Sequence, residues 1–454
     1  MTKYGTSSLQ AWEKHPIRVL KNKTSLIQAA LLLQNCALLS GADSYLSDAG
    51  QMQNRAVKCA ASIKLHETQH RTKHLGLSKA FDCYSSWQSW LSTEEKIRTV
   101  LALYYQDAEL ATVYHRPPLL DHGPSKVSQA APDHVFTAPF SGYGSTSSNF
   151  THMSNGSSWS LCTELTSIIA SITEARLQKK LSLQRVERFE NALQVLYHEL
   201  LRVIANDCDD LLALRVLWHS AFLPLYTSFS VIRKCLSQDM SKLDEADRDY
   251  ITEWATSSAG QRCVLHAVAI KQFIEDMPAS NVQPLHVPRT VLFAAVSLIC
   301  FIRYGSFDVK RLEESVPGEP LLQHLGQVRT SPNLLLADLD PCAKTGRPAP
   351  IKVNAALHGL IEVLERNGHW KVCDIFAAGL REVVEREPEQ KLPQEIFRTA
   401  PRLLRANHNS KQGELHKHSI PTRSVTDLVS TEADAVPSHE HDDRHVNLRA
   451  CRHC

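Results

Sequence analysis

Apolar residues recur along this chain at helical spacing, segment after segment, with no convincing run at the two-residue period of a half-buried strand. Residues 26–39 are apolar nearly all round, which predicts a central helix. Ser25 opens that helix in capping-box form and Gly41 stops it. Ser92-Thr93-Glu94-Glu95 is a second capping box, predicting another helix start. Ile97, Val100, Leu101, Tyr104, Ala108 and Ala111 follow at helical spacing, and Pro117-Pro118 closes the segment. Val186, Phe189, Leu193, Leu196, Leu200 and Val203 form an apolar stripe, with Arg185, Glu187, Arg188, Glu190 and Arg202 off it. Further helices are predicted over 211–222, 247–254, 261–274, 290–303, 355–366 and 372–384.

Three stretches break the pattern. Residues 121–160 are rich in Ser, Gly, Pro and Asn, and residues 306–350 carry many Pro and Gly with little periodicity. From about residue 386 the chain turns polar, and 406–454 reads as a disordered tail. The expectation is an all-α protein: one large multi-helix domain over residues 8–385, with long irregular loops at 121–160 and 306–350, then the tail 386–454. The longest apolar runs, 29–33 and 291–302, fall short of the ~20 residues that cross a bilayer, so they read as core helices and no membrane is expected as a partner.

Composition changes this picture little. With 454 residues, 43% hydrophobic and 22% charged, the chain can bury a sizeable core. A formal net charge of +2 is neither a nucleic-acid footprint nor an acidic surface. The twelve cysteines are scattered, most within apolar helical stretches. The first 25 residues lack the apolar centre of a signal peptide, so buried free thiols in a reducing compartment are expected, without a disulfide framework.

The search for chemistry returns two metal candidates and no phosphate loop or nucleophile elbow. His66-Glu67-Thr68-Gln69-His70 is HExxH, which on a helix would place two imidazoles on one face with Glu67 as general base. Its inner residues are Thr68 and Gln69, and Lys73 stands where the extended pattern has glycine. The bland reading, a solvated His-rich helix end, is preferred; a zinc hydrolase is the remote alternative. In the tail, Cys451-Arg452-His453-Cys454 forms a paired-cysteine motif near His439, His441 and His445, without the second ligand pair and intervening fold of a structural zinc site. No catalytic, cofactor-binding or metal residue is therefore assigned, and the chain is not expected to be an enzyme.

Several segments together resemble the fungal-specific transcription factor domain, the xylanolytic-activator-type regulatory region. Residues 24–33 look like that family's early central helix, and Ala61-Ser62-Ile63-Lys64-Leu65-His66 resembles the stretch that ends a family helix with Leu-His. The most specific segment runs from Trp87-Gln88-Ser89-Trp90 through Glu94, Glu95 and Arg98, then Tyr104-Tyr105-Gln106-Asp107, to His115-Arg116-Pro117-Pro118. Leu217-Trp218-His219, Leu285-His286-Val287-Pro288-Arg289 and Gly368-His369-Trp370 look like the branch that follows two-Cys two-His fingers. The resemblance covers roughly residues 12–384. Beside it, Trp87, Trp90, Trp218 and Trp370 read as core anchors, Arg98 with Asp107 as a structural ion pair, and His219, His286 and His369 as core or capping histidines.

The resemblance implies a regulatory domain that controls transcription by RNA polymerase II in a fungal nucleus. It implies a hydrophobic groove for a small-molecule or protein effector, and self- or hetero-association. No zinc finger stands within this sequence, whose first cysteine is Cys36. Zinc and promoter DNA are therefore expected only through a missing module. The alternative is a finger-less interaction protein that partners related regulators.

Overall fold

The computed structural model describes residues 22–68, 84–123, 128–137, 157–204, 211–237, 243–277, 284–305, 350–368 and 370–385. Among them every regular element is helical. In chain order these are α1 (Lys23–Ser40), α2 (Asp43–Ser62), α3 (Tyr84–Tyr114), the short α4 (Asp133–Phe136), α5 (Ser158–Leu177), α6 (Leu183–Ile204) and α7 (Leu211–Tyr226). There follow α8 (Phe229–Ser237), α9 (Glu245–Thr256), α10 (Ser258–Glu275), α11 (His286–Tyr304), α12 (Pro350–Arg366) and α13 (Lys371–Glu385). All belong to the unit Met1–His408; the second unit, Asn409–Cys454, lies outside the described residues, as do 306–349 and the tail from 386.

The two predicted capping boxes are not used. α1 begins at Lys23 behind Asn22, which is left-handed (φ 53) and makes no side-chain cap. α3 runs unbroken from Tyr84 to Tyr114, so Ser92 and Thr93 lie inside it, and Thr93 Oγ1 donates back to the Ser89 carbonyl. A serine or threonine three residues before a glutamate also fits a solvated helix interior; apolar residues upstream decided the matter here. The stop at Gly41 holds. Its φ of 65 is left-handed, and a Cβ there would collide with Ile375 Cδ1 of α13, so glycine both ends α1 and admits the C-terminal helix. α1 is not buried all round: Ile27 and Ala30 are inside while Leu32 is 66% exposed.

α5 is a helix that periodicity did not predict, and it and α4 shorten the loop expected over 121–160. Its middle is rich in Ser and Thr, which compete for backbone groups and hide the pattern. In the folded chain those hydroxyls are satisfied within the helix: Thr163, Thr166 and Thr173 donate to the carbonyls of Trp159, Cys162 and Ile169, four residues back. Ser157 caps the start by accepting from Ser160 N–H.

α7 is the axis of the main core. From residue 213 to 226 only Arg215 is not buried, and α5, α6, α10 and α11 pack around it. Trp218 and Phe222 are its anchors, and the Trp218 indole donates to the Leu193 carbonyl of α6 at 2.7 Å. Pro224 lies in the last turn. The carbonyls left over at this helix end are taken by other elements. Arg176 of α5 donates to Pro224 O and Leu225 O at 2.9 and 3.0 Å, and the Trp254 indole donates to Tyr226 O at 3.0 Å. α11 is 19 residues long and apolar enough by composition to cross a bilayer, but 72% of that window is buried within the protein. It packs on α7, α10, α8, α12 and α13, as a core helix does.

The same core joins early and late chain. Leu39, Leu161, Leu165, Ile169, Ile172 and Leu193 sit in one apolar cluster with Phe222, Val291, Leu360, Phe376 and Leu380. A smaller cluster holds α1, α2 and α3 together around Ile27, Met52, Ala56 and Leu103. Of the cysteines, Cys59, Cys235, Cys263, Cys300 and Cys373 are buried free thiols, whereas Cys36, expected inside, is exposed. Burial pushes the Cys235 thiol up to about 11.

Two histidines are buried against each other in this core. His219 of α7 and His266 of α10 meet Nδ1 to Nδ1 at 2.9 Å, flanked by Phe222, Phe273 and Trp218. One ring must donate and the other accept, so both are neutral and of opposite tautomer. Burial, then the charge of Arg215, lowers His219 to about 3; burial lowers His266 as well. His286 is held neutral near 4 by burial. These groups take up protons more readily unfolded than folded. Their stability is fully present above pH 6.5 and is lost as pH falls. Unfolding in urea at pH 7 and pH 5 is expected to show a loss on the order of 2 kcal/mol per histidine, diminished in His219→Phe.

Candidate functional site

The HExxH segment does not form a zincin helix. α2 ends at Ser62, Lys64 is left-handed (φ 50), Leu65–Glu67 form one 3-10 turn, and Thr68 is extended. An extended residue between His66 and His70 removes the helical register that would aim both rings at one ion. His70 itself lies outside the described residues, as do Cys451, His453, Cys454, His439, His441, His445 and His369. Among the described residues no group of three His, Cys, Asp or Glu side chains is placed to hold a metal, so zinc does not fit them.

The expected Arg98–Asp107 pair is also corrected. Arg98 binds Glu94 at 3.0 Å, one turn back, and reaches Asp133 at 2.5 Å and the Ala131 carbonyl at 2.6 Å. Glu94, wholly buried, accepts Ala131 N–H at 2.8 Å, so this cluster pins the segment around α4 onto α3. Nine residues on, Asp107 faces another side of the helix. Its Oδ2 accepts the backbone N–H groups of Leu119 and Leu120, both at 2.8 Å, and meets His122 Nε2 at 3.2 Å. His122 Nδ1 lies 3.1 Å from Ser167 Oγ. The set Asp107, His122, Ser167 has the order of a hydrolytic triad. Yet Ser167 sits mid-helix in α5, where backbone N–H groups are already bonded and no oxyanion donor is offered. Its physical work is to tie the loop after α3 to α3 and α5.

A site with a shape for a ligand lies elsewhere among the described residues. A cavity of about 110 Å³ opens between α1, α2, α3, α8, α11 and α13. Its walls are apolar: Leu38, Leu46, Ile232, Leu292, Val296 and Phe376 are typical, and Phe229 stacks on Phe293 with centroids 4.1 Å apart. The charged lining is Glu109, Arg233 and Arg289, with His115 beside them. Glu109 and Arg289 form a bidentate pair, Oε2 to Nε 2.9 Å and Oε1 to Nη2 2.6 Å, both side chains under 10% exposed. One turn earlier on each helix, Tyr105 O–H meets His286 Nδ1 at 3.4 Å, and His286 Nε2–H donates to the Ala213 carbonyl at 3.1 Å. The carbonyl can only accept, so Nδ1 is unprotonated and the tyrosine donates.

His115 stands in an unusual backbone position. Arg116 N–H reaches back to the Ala111 carbonyl and His115 N–H to that of Thr112, a Schellman end to α3. His115 therefore holds the left-handed place (φ 46) that glycine would fill without strain. Burial, then the nearby charge of Arg233, lowers its imidazole to about 4, so it is neutral at physiological pH.

Residues 3–205 match the fungal specific transcription factor domain. No curated protein and no solved structure matches the chain. The match spans less than half of the chain and makes that stretch similar to a domain of fungal transcription factors. The match takes in α1 to α6, hence three of the pocket's six walls: α1, α2 and α3 come from it, while α8, α11 and α13 lie beyond residue 205. The sequence named His286 and Arg289 in one segment and Asp107 in another. It missed Glu109 as the partner, because a lone glutamate on a helix gives no sign of which distant helix it will meet.

Two outcomes follow in chemical denaturation. Glu109→Ala leaves the Arg289 guanidinium buried and should cost about 3–5 kcal/mol, while Glu109→Leu with Arg289→Met recovers most of it. His115→Gly relieves the left-handed strain and should raise stability by about 1 kcal/mol. An unchanged midpoint in Glu109→Ala contradicts the burial of this pair.

Proposed function

We propose that this chain is the regulatory part of a transcription factor that controls RNA polymerase II promoters in the fungal nucleus, and that the apolar pocket is where its effector binds. The observation that carries the reading is the match over residues 3–205. The pocket supports the effector role, because it is concave, mostly apolar and furnished with a few convergent polar groups, as ligand sites are. It is also shared by helices from both ends of the chain. An occupant would touch α3, α8 and α11 together and so favour one arrangement of them.

DNA contact is assigned to a zinc module outside this sequence. The net charge of +2 gives the chain no electrostatic footprint for duplex DNA. The same charge favours a second reading, in which the chain reaches promoters through a related DNA-binding partner.

The test is a reporter strain in which the full chain is fused to an unrelated DNA-binding domain. The fusion is expected to change reporter transcription, and Val296→Phe, which fills the cavity, is expected to shift that output several-fold at equal protein level. A fusion that leaves transcription unchanged contradicts the regulatory reading. A Val296→Phe variant identical to the parent contradicts the effector role of the pocket.

A further inference from the structure

Three glutamines stand at one level of the bundle that α1, α2 and α3 form. α1 and α3 run parallel: Gln28 Nε2 donates to Thr99 Oγ1 at 3.1 Å, and further along Ala37 shares a cluster with Leu110. Gln34 lies between those two points on α1, and Gln106 between them on α3, six residues past Gln28 and seven past Thr99. α2 runs the other way. Lys23 Nζ donates to Ser62 Oγ at 3.4 Å, and Ala49 joins Ala37 in the same cluster. Gln53, one turn beyond Ala49, comes to the same level, and its Nε2 donates to the Leu103 carbonyl of α3 at 3.3 Å. Apolar residues close the level on both sides: Leu31, Met52 and Leu103 toward the start of α1, Ala37, Ala49 and Leu110 toward its end.

All three glutamines are buried, none more than 2% exposed. Among the described residues, Gln34 Nε2 and Oε1, Gln53 Oε1 and Gln106 Nε2 have no hydrogen-bond partner. Buried amide groups in folded proteins are bonded to protein or to ordered water, because leaving them bare is costly. We propose that Gln34, Gln53 and Gln106 form a binding site for a buried water molecule. The balance of donors and acceptors selects the ligand. Two amide nitrogens need a species that accepts, and two amide oxygens need one that donates; water does both, and a buried water makes two to four such bonds. A cation would face the N–H groups and an anion the carbonyl oxygens, so neither suits the set.

The water fixes α1 against α3. Sliding either helix by one turn sets Gln34 or Gln106 among apolar side chains that offer no bond, so the bonded layer admits one register, as a single buried polar residue does in a coiled coil. Both helices also wall the cavity, through Leu38 and Leu39 on α1 and Glu109 and Val113 on α3. The register that the water holds is the one the cavity needs, whether or not an effector enters it.

The experiment is a crystal structure of the full chain at a resolution that shows ordered water, for wild type and for Gln34→Leu with Gln106→Leu. Wild type is expected to show one density peak within about 2.7–3.2 Å of at least three of the four amide atoms. The double variant is expected to lose the peak while the three helices keep their places. Glutamine side chains bonded directly to one another, a wild-type level without a peak, or a peak unchanged in the double variant overturns the site. If the double variant fails to fold, the wild-type density decides alone.

Discussion

A carboxylate and a guanidinium have been taken out of water between α3 and α11, 180 residues apart in sequence, and the rest of the arrangement depends on keeping them together. Separating buried charges leaves each without hydration, at a cost of several kcal/mol, so the geometry tolerates little displacement. The pair sets the register of α3 on α11. Tyr105 and His286, one turn earlier on both helices, repeat that register with a neutral bond. Glu109 also lies by the first turn of α11, where the helix dipole favours a negative charge. The apolar residues beside the pair then form the cavity, since Phe293 and Val296 follow Arg289 on α11 and Val113 follows Glu109 on α3.

That register makes one body of two stretches of chain with different histories of recognition. The family match ends at residue 205, yet Leu161, Leu165 and Ile169 of α5 share a core with Leu217, Val291 and Phe376. Gly41 carries the same message at the other edge. Its missing side chain lets α13 lie against the end of α1. Arg303 of α11 in turn donates to the Val383 carbonyl of α13. The pocket is a product of this assembly, because no single stretch owns its walls.

Much of the fold was legible in the sequence because helices with an apolar face announce themselves. The stripe through Phe189 and Leu193, the run at 291–302 and the stop at Gly41 all reflect local rules that the tertiary structure leaves intact. Where local rules competed, the reading failed. The Ser- and Thr-rich α5 hides its period, and capping residues at Ser25 and Ser92 lie within longer helices. Partners were harder still. Arg98 and Asp107 share a helix and opposite charge, but nine residues turn them to different sides, and each found its partners in chain that follows a proline or a loop. The candidate site was legible only as isolated letters. Arg289, His286 and His115 stood in named segments, while Arg233, the pairing of Glu109 and the left-handed backbone of His115 did not show, since a cavity made by six helices leaves no spacing signature.

The measurement that bears most directly on this account is hydrogen exchange along the full chain, comparing wild type with Arg289→Met at neutral pH. If the buried pair joins the two stretches, the substitution speeds exchange in α3 around Glu109 as well as in α11, although α3 is unaltered in sequence. If faster exchange stays within α11 and its immediate neighbours in the chain, α3 does not depend on the pair, and the central claim is contradicted.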